Sequence, residues 1–106
     1  MVEIVFSDSA IQDIYRLTYF LLETYPEVAI DTGEIIVDGL QVLATHPLVG
    51  VKSGDGLRKL VISRGRSGYI AIYDYDQLKE RVLVMAIKHQ RESRLLIDDS
   101  GSERYE

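Results

Sequence analysis

The hydrophobic positions of the chain change period twice, from two to about 3.6 and back to two. Residues 2–6, VEIVF, alternate in polarity and are rich in β-branched side chains, which predicts a first strand. The next apolar positions follow a helical stripe, which predicts a first helix that ends at Pro26. Ser9, with Gln12 three residues later, resembles a capping box at its start. The stripe consists of Ile11, Ile14, Tyr15, Thr18, Leu21, Leu22 and Tyr25.

A second helix is predicted from Glu27 to Thr45, where the apolar positions again recur at helical spacing. Gly33 and Gly39 interrupt it, and each marks either a kink or a place where the two helices approach closely. HPLVG (46–50) ends it, because a residue that precedes proline is driven out of the α region. Almost no linker separates the two helices, so they should form a hairpin. The second stripe consists of Val28, Thr32, Ile35, Ile36, Gly39, Leu40 and Leu43.

From residue 57 the period returns to two, which predicts two strands within 57–76 that are joined at RGRSG. Residues 82–89, VLVMAIKH, are apolar on both faces and predict a central strand that is buried on both sides. The helical hairpin needs a sheet face to cover, and the face that carries Tyr69, Tyr73 and Tyr75 suits it. The predicted fold class is therefore α+β, in the order β-α-α-β-β-β, with an antiparallel sheet packed on one face by an N-terminal helical hairpin.

Composition narrows the class of protein. The chain has 106 residues, no cysteine and a net charge of −5, so we expect one domain without disulfides or thiol chemistry. No apolar run is long enough to span a bilayer, and the N-terminus lacks the pattern of a signal peptide, so we expect no membrane association and a cytoplasmic location. His46 and His89 are too few to build a metal site without cysteine, and we expect no metal and no cofactor.

Charge is distributed unevenly along the chain. Residues 1–51 carry eight acids and one base, whereas residues 52–94 carry ten bases and five acids. An antiparallel sheet would bring the RGRSG turn and the KHQRE segment (88–92) to the same end, where a positive surface can meet an anionic partner. We call this predicted surface the cationic rim, and it consists of Arg58, Arg64, Arg66, His89 and Arg91.

Three interpretations of the cationic rim remain open at this stage. His89 can be a strand-end residue packed on a neighbour, with the arginines paired to nearby acids. Alternatively, His89 can act as an acid or base in RNA cleavage, because its unperturbed pKa lies near neutrality. The third interpretation is ion-pair recognition of an acidic protein segment or a phosphate backbone.

The segment HPLVGVKSGDGLRKLVISRGRSGYIAIYDYD, followed by RVLVMAIKHQRE, resembles the ParE/RelE superfamily of toxins from bacterial type II toxin–antitoxin modules. Within it the resemblance is to the ParE-like branch. The most specific pieces are LVISRGRSGY (60–69) and AIKHQRE (86–92), and the predicted order of elements agrees over residues 2–92. Residues 1–94 should therefore form a single toxin domain, followed by a polar tail, 95–106, that we predict to be flexible.

The resemblance implies a toxin that inhibits DNA gyrase and replication by binding, and so stops bacterial growth. The RelE branch instead cleaves mRNA within the ribosome, with a set of lysines, arginines and a tyrosine. This chain has Leu60, Ile62, Ile70 and Ile97 at or near positions of that set, and only Arg91 matches. We therefore expect no catalytic residues and no enzymatic activity. The alternatives are a ribosome-dependent mRNA endonuclease of the RelE type and a detoxified relative that still binds an antitoxin.

The resemblance also implies a partner, a cognate ParD-like antitoxin, in a toxin–antitoxin hetero-oligomer. In the family, the C-terminal segment of the antitoxin wraps the toxin and crosses the helical hairpin and the sheet. We expect its amphipathic segment to enter an apolar groove on the hairpin. We expect no direct DNA binding by the toxin itself. The candidate groove residues are Ile14, Leu21, Ile36 and Leu40.

Overall fold

The computed structural model describes residues 1–64 and 67–89, which form a mixed five-stranded sheet with helices packed on one face. This arrangement confirms the predicted α+β class. The elements along the chain are β1 (Glu3–Phe6), α1 (Asp8–Thr24), α2 (Pro26–Ala29), α3 (Thr32–Leu40), a 3₁₀ helix (Gln41–Ala44), β2 (Val51–Lys52), β3 (Arg58–Arg64), β4 (Ser67–Asp76) and β5 (Arg81–His89).

The strand order is β1-β5-β4-β3-β2. An antiparallel sheet was predicted, but the observed sheet is mixed. The first strand pairs with the last in parallel, with Ile4 opposite Val82, while the other three pairings are antiparallel. The chain leaves β1 through α1, and its last strand returns beside β1 in the same direction. Strand β2, only two residues long, was not predicted, because so short a strand has no periodicity.

Strand β5 was predicted to be central and buried on both faces, and this is wrong. It lies between β1 and β4, and α1 packs on one side of it, so its residues alternate between buried and accessible. Its register against β4 shifts between Ile72 and Tyr73, which makes Met85 an extra residue on β5. The bulge puts Val84 and Ile87 on the same buried face although they are three positions apart.

Helix α1 begins earlier than its sequence pattern indicates. Its N-cap is Ser7, whose Oγ accepts a hydrogen bond of 3.0 Å from the backbone N–H of Ala10, rather than Ser9. The buried face is also rotated relative to the predicted stripe. Ala10, Leu17 and Leu21 are its buried residues. The apolar side chains of Ile11, Tyr15 and Leu22, which the stripe assigned to the core, are exposed.

The predicted second helix is divided into α2, α3 and the 3₁₀ helix, and Gly39 explains how α3 is seated. A Cβ at Gly39 would lie 2.5 Å from Cγ2 of Ile62, a buried residue of β3. The glycine therefore permits a close approach of the helix to the sheet, not to the other helix. At Gly33 a Cβ would have nothing within 4 Å, so that glycine serves no close approach.

The core lies between the helices and the sheet and draws on α1, α2, α3, the 3₁₀ helix and the strands β3, β4 and β5. Within the described residues, no helix combines the length and apolarity needed to cross a membrane. The buried apolar residues are Ala10, Leu17, Leu21, Ala29, Ile35, Ile36, Leu40, Leu43, Ile62, Tyr69, Ala71, Tyr73, Val82, Val84 and Ile87.

We expect Gly39→Ala to lower the free energy of unfolding by about 1–3 kcal/mol, because its methyl group would overpack against Ile62. Gly33→Ala is the matched control in the same helix, and should raise that free energy by up to about 1 kcal/mol through helix propensity alone. Urea denaturation followed by circular dichroism measures both. Equal unfolding free energies for the two variants would contradict the close approach.

Candidate functional site at the two ends of the sheet

The antiparallel pairing of β3, β4 and β5 brings the two halves of the predicted cationic rim to one end of the sheet. Arg64, placed by its backbone, is the last residue of β3 and pairs with Ser67, while His89 ends β5 and pairs with Tyr69. The expectation that these two strand ends meet is therefore correct. Arg66 and Arg91, the other arginines predicted here, lie outside the described residues.

His89 does not belong to a solvent-facing rim. Its side chain is 1% exposed, and its ring packs edge-on against Tyr69 with 4.9 Å between ring centroids and an angle of 78°. The reason is strand alternation, since His89 lies two residues after buried Ile87 and shares its face. Of the three interpretations of this residue, the structure agrees with a strand-end histidine packed on a neighbour.

Arg58 lies at the other end of β3 from Arg64, which corrects its assignment to the same rim. It pairs with Tyr73 and Lys52, and the six residues to Arg64 span about 20 Å of extended strand. Its Nη1 donates to the carbonyl oxygens of Leu48, at 3.1 Å, and of Gly50, at 2.8 Å. Arg58 therefore holds the 46–50 loop against the sheet.

Tyr73 holds the same loop from inside the protein. Its hydroxyl donates to the carbonyl oxygen of Pro47, at 2.7 Å, and accepts from the backbone N–H of Gly50, at 2.9 Å. A Cβ at Gly50 would lie 2.6 Å from that hydroxyl and 2.8 Å from the carbonyl oxygen of Lys59. Position 50 therefore has no room for a side chain. The HPLVG sequence thus forms a loop whose backbone is fixed by Tyr73 and Arg58.

Tyr69, four residues earlier on β4, makes the corresponding contact at the start of α3. Its hydroxyl donates to Oγ1 of Thr32 at 3.1 Å, and both residues are fully buried. The prediction that Tyr69 and Tyr73 are covered by the helical hairpin is thus confirmed, and Tyr75 is partly buried against the same core. The alternation of β4 does not predict that these two hydroxyls bond to Thr32, Pro47 and Gly50.

The four candidate groove residues do not form an open groove in the isolated chain. Leu21, Ile36 and Leu40 are fully buried between the helices and the sheet, and Ile14 is partly buried against that core. All four belong to the predicted apolar stripes of the helices, and these four positions of the stripes face the core.

The apolar surface that the chain does expose on this side lies on α1. It includes Ile11, Tyr15 and Leu22, and the side chain of Tyr15 is 66% exposed. These residues follow one another at spacings of four and seven, which places them along one side of the helix. The helical spacing of apolar residues included these three in the predicted stripe of α1, but it predicted that they face the core.

The described residues contain no group of three or more histidine, cysteine, aspartate or glutamate side chains that could hold a metal ion. Among the ion pairs of the described residues are Arg16 with Asp13, at 3.0 Å, and Arg81 with Glu3, at 3.2 Å. Asp13 also accepts a 2.9 Å hydrogen bond from the backbone N–H of Ile87, which ties α1 to β5.

A sequence model of the ParE toxin of the type II toxin–antitoxin system, parDE, matches residues 4–94, from the first strand to beyond the last. The chain belongs to this family. Toxin RelE3 of Caulobacter vibrioides is 28% identical over 83 residues, which cover 78% of this chain and 88% of that protein. The chain is therefore a type II toxin of the ParE/RelE superfamily, with relatives named for both branches.

Solved structures of both branches share the fold. The chromosomal ParDE system of P. aeruginosa aligns with a TM-score of 0.68 and 18% identity, over 84% of this chain and 96% of that one. The intact E. coli RelBE complex aligns with a TM-score of 0.56 and 17% identity, over 82% and 94% of the two chains. At these identities, the likeness concerns the fold alone.

We expect Tyr73→Phe to lower the free energy of unfolding by about 1–3 kcal/mol, because it leaves the carbonyl of Pro47 and the N–H of Gly50 without their partner. Tyr15→Phe, on exposed α1, is the matched control and should change it by less than about 0.5 kcal/mol. Chemical denaturation of both variants measures the difference. A Tyr73→Phe variant as stable as the control would contradict the role of the hydroxyl.

Proposed function

We propose that this toxin arrests bacterial growth by binding DNA gyrase, without chemistry of its own, and that a cognate ParD-like antitoxin neutralises it. The observation that carries the proposal is the match to the ParE toxin family over residues 4–94. The fold that the chain shares with the P. aeruginosa ParDE toxin–antitoxin system is compatible with this proposal.

The position of His89 supports a binding mechanism over catalysis. A general acid or base must reach within hydrogen-bonding distance of the atom whose proton it moves. His89 is 1% exposed and packed on Tyr69, so it does not present its ring to a nucleic acid at the surface. Leu60 and Ile62 also occupy β3 where the RelE branch would supply lysines.

Ribosome-dependent mRNA cleavage is the second candidate function. The observation that favours it is the 28% identity to a protein named Toxin RelE3, over 88% of that protein's length. The cationic residues near the RGRSG turn would serve this candidate by binding RNA phosphates.

The exposed apolar residues of α1 support an antitoxin partner in a more specific way. Ile11, Tyr15 and Leu22 lie along one side of the helix and have no cover within the described chain. An amphipathic antitoxin segment laid against them would bury this surface in the manner of helix recognition by apolar anchors. This surface replaces the buried set Leu21, Ile36 and Leu40 as the antitoxin contact we propose on the helical hairpin.

Induced expression of the chain alone in bacteria tests the proposed target. We expect growth arrest together with relaxation of a reporter plasmid, because gyrase would no longer introduce negative supercoils. Coexpression of the antitoxin should restore both growth and supercoiling. Arrest with normal supercoiling would contradict the gyrase target and favour the ribosomal candidate. Normal growth from a folded, soluble product would contradict toxicity and leave an antitoxin-binding relative.

Charge reversal at the RGRSG end tests the contribution of the cationic strand ends. We expect Arg64→Glu to restore colony formation on induction, because an anionic target surface would then face a like charge. Lys79→Glu, in the turn at the opposite end of β4, is the matched control and should remain toxic. Circular dichroism and soluble yield verify that both variants fold. Equal toxicity of the two variants would remove Arg64 from the target contact.

A further inference from the structure

The end of the sheet opposite the RGRSG turn carries a surface that the proposed toxin activity does not use. It comprises the 46–50 loop and the hairpin formed by β2, β3 and the turn between them. We call it the loop-end surface, and two cavities open on it.

The first cavity of the loop-end surface has a volume of about 410 Å³, within the range of small-ligand sites. Leu48 and Val49 lie beside it with 58% and 52% of their surface exposed. Both aliphatic side chains therefore lie at the surface of a loop whose backbone is held in place by Tyr73 and Arg58. The lining residues are His46, Pro47, Leu48, Val49, Tyr75 and Gln77.

The second cavity is smaller, about 280 Å³, and is lined by Lys52, Gly54, Gly56, Leu57 and Arg58. Lys52 and Arg58 pair directly opposite each other on β2 and β3. Like charges at directly opposed positions destabilise a strand pair. Within residues 1–64 and 67–89 neither of these two cations takes part in an ion pair, although Arg58 donates to two backbone carbonyl oxygens.

Arg58 connects the linings of the two cavities, because it donates to the carbonyl of Leu48 at 3.1 Å and to that of Gly50 at 2.8 Å. The guanidinium therefore lies against the backbone of the loop whose side chains line the apolar cavity. Tyr73 fixes the same loop from beneath. A surface whose backbone is already ordered loses little conformational entropy when a partner binds.

We propose that the loop-end surface docks a protein segment in which a bulky apolar side chain is followed by a carboxylate. The apolar side chain would enter the cavity beside Leu48 and Val49, and the carboxylate would lie between Lys52 and Arg58. Charge complementarity selects an acidic partner, and the aliphatic lining selects a protein segment over a nucleic acid. This proposal is independent of gyrase binding and of the antitoxin contact on α1, and its test does not measure toxicity.

Titration of the isotopically labelled full chain with capped dipeptides, followed by NMR, tests the proposal. The probe is acetyl-leucyl-glutamate amide, and its controls are the leucyl-glutamine and alanyl-glutamate analogues. We expect the leucyl-glutamate probe to cause saturable shifts at the amides of Leu48, Val49, Gly50 and Lys52. The glutamine analogue should bind about two- to fivefold more weakly, as for an exposed ion pair. The alanine analogue should bind at least about fivefold more weakly, because it buries less apolar surface.

Variants of two exposed residues test whether Leu48 binds the leucyl side chain and Lys52 binds the carboxylate. Leu48→Ala should weaken the leucyl probe about fivefold. Lys52→Met should reduce the preference for glutamate over glutamine, because only Arg58 would remain to attract the carboxylate. Leu78→Ala and Lys79→Met, in the exposed turn before β5, are matched controls. They should change neither the affinity for the leucyl probe nor the preference for glutamate over glutamine.

Two outcomes would overturn the proposal. One is equal binding of the glutamate and glutamine probes to the unmodified chain. The other is tighter binding of a uridine dinucleotide at the same amides, which would indicate a nucleic-acid surface.

Discussion

Two buried tyrosines of β4 fix the helical segment to the sheet, and the arrangement of both ends of the molecule depends on them. Tyr69 bonds to Thr32 at the start of α3, and Tyr73 bonds to Pro47 and Gly50 beyond the 3₁₀ helix. One strand thus determines where the segment between these points begins and ends. Because a buried hydroxyl without a partner is costly, each bond also specifies one position along that segment.

The two ends of the sheet, near Tyr69 and near Tyr73, are chemically different. At one end, the RGRSG turn joins β3 to β4, and the only histidine there, among the described residues, is packed inside against Tyr69. At the other end, Arg58 and Tyr73 hold a loop that presents Leu48 and Val49 to solvent. The burial of His89 against Tyr69 agrees with our proposal that the toxin binds its target rather than cleaving RNA.

Periodicity located every long element, and it correctly placed Tyr69 and Tyr73 beneath the helices. It could not show that β1 lies parallel to β5, because pairing partners leave no trace in the local pattern. The bulge at Met85 shifts the alternation of β5, so the run VLVMAIKH resembles a strand buried on both faces. The charge of Arg58 suggested a shared rim with Arg64, but only the register shows that they lie at opposite ends of one strand. Helical spacing likewise could not tell which of the apolar residues of α1 face the core.

The most direct test of the account uses purified DNA gyrase, relaxed plasmid and increasing amounts of the purified chain, with supercoiling read on a gel. If the chain inhibits gyrase by binding, supercoiling is lost as the chain approaches the concentration of gyrase, and antitoxin added beforehand preserves it. Full supercoiling in the presence of excess folded chain, together with cleaved mRNA on translating ribosomes, would contradict it.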